Sequence, residues 1–554
     1  MNKAGGIDAH PATLVALVIF TIVSLGLGVV ANLVASKKSG FLQKYFLGNR
    51  SLGAFAVALT AAVMSGGTFL GFPSLVYLYG WVVGLWIASY MVAPLTVMGV
   101  LGKRIGQISR KTGAITLPDL FRERFGSPAL GLLTSLLIMF FLTCNLIAQF
   151  KGGGVIMKII MPSETMNWFA TEDITQTADR AYYIGLAIFA TTVIAYTAYG
   201  GFLAAIWTDV FQSIVMAIGV MILLPLALWK SGGLQAATLA GVQQTDVGFA
   251  FGPGAGRAFH PIGLAISFFV MWAITGMGQP STMVRLMAFR DSKTLRYSIG
   301  YQMLYNLVIY VPLIMIFIAA RAILPDLKAT DEVMPRLVIT LANPYIAGLI
   351  LAAPYGAVMS TVSGFLLIVA SGIVRDVYQR FLRPTASEKE IEWASYGATV
   401  AVGLIVTVLA LRPPDLLQLI VVFSSTGMAS AFLMPGILGC FWRRANHQGA
   451  IAAMATGASV TLALYVAGFI LGKFFHYDAG IGPPGGAFVP YYLFGFDPCV
   501  WGLTSSFLAG VIVSLLTPPP DAARVSLLFD LQPPDAPAPA TLDLHPELHG
   551  QIVG

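Results

Sequence analysis

Charge is what this sequence has least of: only 10% of its 554 residues are Asp, Glu, Lys or Arg, against about 25% in soluble proteins. A soluble fold cannot bury a chain that is 57% hydrophobic, so the solvent is lipid. Cysteine is almost absent. Cys144, Cys440 and Cys499 lie far apart and give neither a disulfide framework nor a metal spacing. Histidine is scarce too, and His10, His260, His447, His476, His545 and His549 all fall outside the apolar runs. HExxH, a P-loop and a GxSxG in a suitable context are missing, which argues against an enzyme. The net charge of +7 is carried by short loops, as in an inner-membrane protein, and not by a nucleic-acid-binding face. The first apolar run is too long, and too poor in preceding basic residues, for a cleaved signal peptide.

What is present is a series of long apolar runs. We expect thirteen spans, at about 12–34, 51–79, 82–101, 128–150, 181–199, 206–229, 262–284, 299–320, 343–371, 393–411, 416–440, 449–472 and 500–517. Each is long enough for a hydrocarbon core of about 30 Å, and backbone satisfaction there requires helices. The chain is thus read as an all-α integral membrane protein. Basic clusters follow spans 1, 3, 7, 9 and 11, whereas the 161–180 loop is acidic. This predicts an outside N-terminus and a cytoplasmic C-terminus. The proline-rich 518–554 tail reads as disordered.

Two spans are interrupted. Span 2 contains Ser65-Gly66-Gly67-Thr68-Phe69-Leu70-Gly71-Phe72-Pro73, and span 7 contains Gly276-Met277-Gly278-Gln279-Pro280. Adjacent glycines with a proline do not sustain a helix, and broken backbone at membrane depth has to line a cavity. Spans 2–6 and 7–11 form two sets of five. An odd number of crossings inverts one set against the other, and the broken helix comes first in each. That is the inverted 5+5 repeat of LeuT-type transporters, with spans 1, 12 and 13 peripheral. The units are then 1–50, an N-terminal helix and loop; 51–230 and 231–441, the two repeats; 442–517, two peripheral helices; and 518–554, the tail.

Span 9 carries Ala357-Val358-Met359-Ser360-Thr361. Its hydroxyls either bond back to their own helix or serve a hard cation such as Na⁺, which takes oxygen ligands. The span 2 break frees carbonyls near Ala61 and Met64. Asn145 and Gln149 share one face of span 4, reaching either a solute or a neighbouring helix. Asp209, at the start of span 6, is either a dipole-favoured acid or a cation-exit residue.

Four separated segments resemble the sodium:solute symporter family. They are Tyr45-Phe46-Leu47-Gly48-Asn49-Arg50, Tyr196 to Ala204 followed by Trp207-Thr208-Asp209-Val210-Phe211-Gln212, Gly278-Gln279-Pro280-Ser281-Thr282-Met283-Val284-Arg285, and Ala357 to Thr361 with Arg375-Asp376 beyond. The resemblance implies Na⁺-driven uptake by alternating access. By position, it implies sodium ligands from the carbonyls of Ala61, Met64 and Ala357 and the hydroxyls of Ser360 and Thr361, with Asp209 as the ion-exit residue. It implies solute contacts from Ser65, Gly66, Thr68, Phe69, Gln149, Trp272, Thr275 and Gln279.

Departures from the family pattern narrow the solute. Gly67 and Thr68 replace the acid and amide of sugar-transporting members, Thr275 stands where those members have a gating tyrosine, and Val63 stands where proline-type members have an aspartate. The loops Lys103 to Thr116 and Arg285 to Lys293 look like pantothenate-type members, so a small carboxylate is the leading class. The expected partners are a small solute and the lipid bilayer, with no nucleic acid and no obligate protein partner. Proton coupling, or an amino acid or sugar as solute, are variants of this reading. A transporter-like sensor or channel is the competing class, and the 37-residue tail is too short for a signalling domain.

Overall fold

The computed structural model describes residues 10–34, 53–61, 65–161, 174–251, 262–413, 416–482 and 485–530. Among these the regular structure is entirely helical, as the need to satisfy every backbone group within lipid requires. Helices α1 (Pro11–Val34) and α2 (Ala54–Ala61) are followed by a π-helical turn, Gly67–Gly71, which runs into α3 (Phe72–Tyr79). Next come α4 (Gly84–Pro94), α5 (Lys103–Thr112), α6 (Leu117–Phe125), α7 (Pro128–Ile160) and α8 (Ile174–Lys230), which kinks at Gly201. The second half opens with α9 (Leu234–Gln244), α10 (Ile262–Thr275) and α11 (Pro280–Ala288), followed by α12 (Ser292–Ile323) and α13 (Val333–Leu341). Then follow α14 (Pro344–Ser371), α15 (Glu388–Leu409), α16 (Leu417–Phe441), α17 (His447–Phe475), α18 (Pro498–Leu516) and α19 (Ala522–Phe529).

Helix starts follow local chemistry. The Ser127 hydroxyl accepts from Leu130 N at 3.3 Å, and the Asn343 side chain accepts from Ile346 N at 3.0 Å. Each precedes a proline at the first helical position, where a missing N–H costs nothing.

Among the described residues, eleven helices are long and apolar enough to cross a membrane, and twelve if the pair α10–α11, bent by 50°, counts as one. The expected thirteen is not reproduced. The difference lies at Gly67–Thr112, which runs as one helical stretch of 46 residues, about twice the length of a crossing. Gly80 interrupts it with φ of 74°, a conformation open to glycine without strain. The tail also departs from expectation. Residues 522–529 form α19, and Leu528 is buried; residues 531–554 lie outside the described residues.

Two helices make the centre. In their most apolar 18 residues, α16 is 94% buried and Pro344–Leu382 is 83% buried, against 28% in α1 and 33% in each of α17 and α18. Helix α14 packs on α1, α7 and α8, and α16 on α7, α17 and α18. Both interruptions, Gly67–Gly71 and Gly276–Gly278, lie against α16. The approach at Gly278 is close enough that an added Cβ would meet the Ala429 Cα at 2.7 Å, so no larger residue fits there.

Candidate functional site

Two cavities flank the interruptions. The central one is lined by Ser65, Thr68, Asn145, Gln279, Ser281, Thr282, Gln302, Asn306, Gln418 and Ser425, with Tyr90, Trp272 and Phe365 supplying aromatic wall. No charged side chain among the described residues lines it. The aromatic wall continues as a stack. Ring centroids are 4.0 Å apart for Tyr90 and Tyr310, 5.3 Å for Tyr90 and Trp272, and 5.6 Å for Trp86 and Trp272. Such rigid faces bury apolar solute surface at little entropic cost. Several amides keep unused capacity: Gln302 Oε1, Asn306 Oδ1 and Gln418 Oε1 are buried without a hydrogen-bond partner, as is the Trp272 indole N–H. Buried polar atoms of this kind call for a ligand or water.

Of the solute contacts expected from sequence, Ser65, Thr68, Trp272 and Gln279 line this cavity, and Gly66, Phe69, Gln149 and Thr275 do not. Gln149 has a different task. Its Oε1 accepts from Gly66 N at 2.8 Å, and its Nε2 donates to Asn145 Oδ1 at 2.9 Å. Asn145 Nδ2 in turn donates to Ser424 Oγ at 2.7 Å. The two amides bond between helices and satisfy backbone freed by the first interruption. Thr68 Oγ1 sits 3.2 Å from the Tyr310 hydroxyl. Gln279 Nε2 donates to Ser425 O at 3.2 Å, tying the second interruption to α16.

The second cavity is lined by Leu59, Thr60, Asp209, Ser213, Arg285, Ser360, Thr361 and Phe365. Phe365 is common to both cavities. The hydroxyls of Ser360 and Thr361 donate to Ala357 O at 3.1 and 3.0 Å, the back-bonding that helix hydroxyls favour. Asp209 does not stand alone: Arg285 Nη2 lies 3.4 Å from its Oδ2, while Asp209 Oδ1 and Arg285 Nε have no hydrogen-bond partner. Ala61 ends α2. Met64 and the segment Tyr45 to Arg50 lie outside the described residues.

Sequence reading missed several residues here. Gln302 and Asn306, four apart on α12 and therefore on one face, carry the same spacing as Asn145 and Gln149. Arg285 was read as part of a motif and as the first residue of a basic loop, whereas it is buried and paired with Asp209, which was singled out. Lys151, at the edge of an apolar span, pairs with Asp331 at 2.6 Å; an ionisable group at such depth is itself a signal.

A sodium:solute symporter family profile matches residues 45–457. The sodium/pantothenate symporter of Haemophilus influenzae is 31% identical over 465 residues, covering 83% of this chain and 91% of that protein. The sodium/pantothenate symporter of Escherichia coli is 31% identical, covering 80% and 88%. A sodium/proline symporter of Haemophilus influenzae is 32% identical, covering 81% and 87%. Among solved structures, an outward-open Na⁺-coupled sialic acid symporter aligns over 92% of this chain and 99% of its own with a TM-score of 0.66. At 17% identity that likeness speaks for the fold alone.

Proposed function

The chain belongs to the sodium:solute symporter family, and from that premise we propose that it imports a small organic carboxylate, pantothenate being favoured, together with Na⁺. It is a multi-pass membrane transporter of the LeuT type, and sodium is its coupling ion. The observation that carries the solute class is the central cavity itself. It offers amides, hydroxyls and aromatic faces, with no acidic side chain among the described residues. A full charge of either sign entering it would meet no opposite side-chain charge, so recognition there rests on hydrogen bonds to amides and hydroxyls. A carboxylate that also bears hydroxyl and amide groups brings hydrogen-bond donors to the unpartnered amide oxygens of Gln302, Asn306 and Gln418.

In this reading Na⁺ sits between the carbonyls of Ala61, Met64 and Ala357 and the hydroxyls of Ser360 and Thr361. It bridges the first interruption to α14. Holding that interruption in place fixes Ser65 and Thr68 for the solute, which couples the two cargoes without direct contact. Asp209 receives the ion on its way inward. The N-terminus lies outside and the C-terminus in the cytoplasm of an inner membrane, by the distribution of Lys and Arg among the loops.

The test is uptake by proteoliposomes under an imposed sodium gradient, with pantothenate, short carboxylates, proline and sugars compared. Pantothenate should accumulate with Na⁺ and not with a proton gradient alone. Ser360→Ala combined with Thr361→Ala should abolish sodium-dependent uptake while the protein still elutes as a folded species. Concentrative uptake persisting without Na⁺, or unchanged sodium affinity in the double variant, would refute the placement. Proline outcompeting the carboxylates would move the solute class to amino acids.

A further inference from the structure

A third cavity lies at the inner end of α14, remote from both sites above. Its polar wall is Thr116, Ser135, Ser371 and Asp376, contributed by the loop before α6, by α7, by α14 and by the π-helical segment Gly372–Leu382. Local π-helix is rare and concentrates at functional positions. Asp376 is 3% exposed, and its Oδ2 has no hydrogen-bond partner. A buried carboxylate oxygen left in that state is costly.

The hydroxyl hydrogens around it are already committed. Ser371 Oγ donates to Ile368 O at 2.7 Å and Ser135 Oγ to Gly131 O at 3.1 Å. Thr116 Oγ1 donates to Asp376 Oδ1 at 3.4 Å and accepts from Asp119 N at 3.1 Å. What faces the cavity is therefore lone pairs and one negative charge, a wall that attracts a cation and repels an anion. Two nearby guanidinium groups are engaged elsewhere: Arg380 binds Asp119 and Arg122 pairs with Glu123. Arg375, next to Asp376 in the chain, bonds Gln379 and approaches Asp119, keeps a buried Nε without a hydrogen-bond partner, and acts on Asp376 through its charge without an ion-pair contact. Among the described residues no Lys or Arg forms an ion pair with Asp376.

We propose that Asp376, with the hydroxyls of Thr116, Ser135 and Ser371, forms a second monovalent-cation site at the inner end of α14, selective for Na⁺ over anions and divalent ions. Oxygen-only ligation suits a hard cation, and a single carboxylate balances a single charge. Ser371 follows Ser360 by eleven residues, about 16 Å along the helix, so this site is distinct from the one at Ser360 and Thr361. Val284 of α11 closes one side of the cavity. Displacement of that arm, the inner half of the second interruption, would open the site inward.

The experiment is ²²Na⁺ binding to the purified full-length transporter, in wild type and in a Ser360→Ala/Thr361→Ala background. The background variant should retain a sodium-binding component, competed by excess unlabelled Na⁺ and not by choline. Adding Asp376→Asn should abolish that component, and adding Ser371→Ala or Thr116→Val should weaken it at least tenfold. The hydroxyl variants keep the test decisive if Asp376→Asn fails to fold. Loss of all ²²Na⁺ binding in the background variant, or binding unchanged by the Asp376, Ser371 and Thr116 substitutions, overturns the proposal, as does a sodium-insensitive infrared band of protonated Asp376. Failure of the transport-site reading is separately visible, as sodium-dependent uptake that survives Ser360→Ala/Thr361→Ala.

Discussion

Among the described residues, two ion pairs between elements far apart in sequence have both side chains buried, and they are built differently. Near α13, Lys151 and Asp331 meet at 2.6 Å, and the same Asp331 oxygen accepts from Leu417 N at 2.9 Å. One carboxylate thus joins α7, the turn before α13 and the start of α16. Next to it Glu332 is shared between Lys158 at 2.9 Å and Arg336 at 2.5 Å, and Ser74 of α3 donates to Thr330 at 2.5 Å. The pair beside the Ser360 and Thr361 hydroxyls is slack by comparison. Arg285 and Asp209 stand 3.4 Å apart, each with a buried polar atom unpartnered, whereas in the first pair only Asp331 Oδ1 lacks a partner and the contact is shorter by 0.8 Å. A buried pair repays its desolvation only when geometry is good and the remaining lone pairs and protons are satisfied. The first pair is a clamp. The second, on the proposed reading of Asp209 as the ion-exit residue, is a pair that an incoming cation rearranges.

The contrast is broken most strongly at the clamp. Lys151→Met leaves a buried carboxylate unpaired and should cost about 3–5 kcal/mol, read as a lowered melting temperature of the detergent-purified protein. Lys151→Met with Asp331→Leu should recover all but about 1–3 kcal/mol, the remainder reflecting the orphaned Leu417 amide. A single substitution as mild as the double one would show that the clamp contributes nothing.

At the slack pair the effect should move from stability to transport. Arg285→Gln is expected to cost about 1–2 kcal/mol in the melt and to change the apparent sodium affinity of uptake about tenfold, a coupling of ordinary size. A large stability loss without a sodium effect would make this pair a second clamp.

The smallest effect belongs to the docked tail helix. Phe529 lies 5.0, 5.2 and 5.5 Å from the guanidinium carbons of Arg104, Arg124 and Arg443. Phe529→Ala should cost about 0.5–1 kcal/mol in all, because the three guanidinium groups share one partly exposed ring, seen as a small melting shift with uptake retained. Unchanged uptake would leave both ion pairs, and not this contact, as the elements that matter to transport.

The interruptions were legible because glycine and proline act locally: Ser65 to Pro73 and Gly276 to Pro280 break helix wherever they lie. The repeat arithmetic placed them as equivalent, and they do converge on α16. Gln149 was legible as a polar residue at depth, but whether it meets a solute or a helix was open, and it holds Gly66 N. Gln302 and Asn306 carried a visible spacing that was passed over. The tail shows the converse failure. Proline content pointed to disorder through 518–554, yet Ala522–Phe529 folds because three guanidinium groups wait for Phe529 and Lys111 Nζ donates to Leu527 O at 2.8 Å.

By itself, then, the sequence determined the solvent, the helical class and the places where helices must fail, because hydropathy and backbone propensity are properties of neighbouring residues. Only the tertiary structure decided which polar groups meet. Lys151 finds Asp331 180 residues away, and Gly66 finds Gln149 83 residues away. Those pairings depend on how apolar faces pack in three dimensions, and an apolar face written in leucine, valine and alanine does not name its partner.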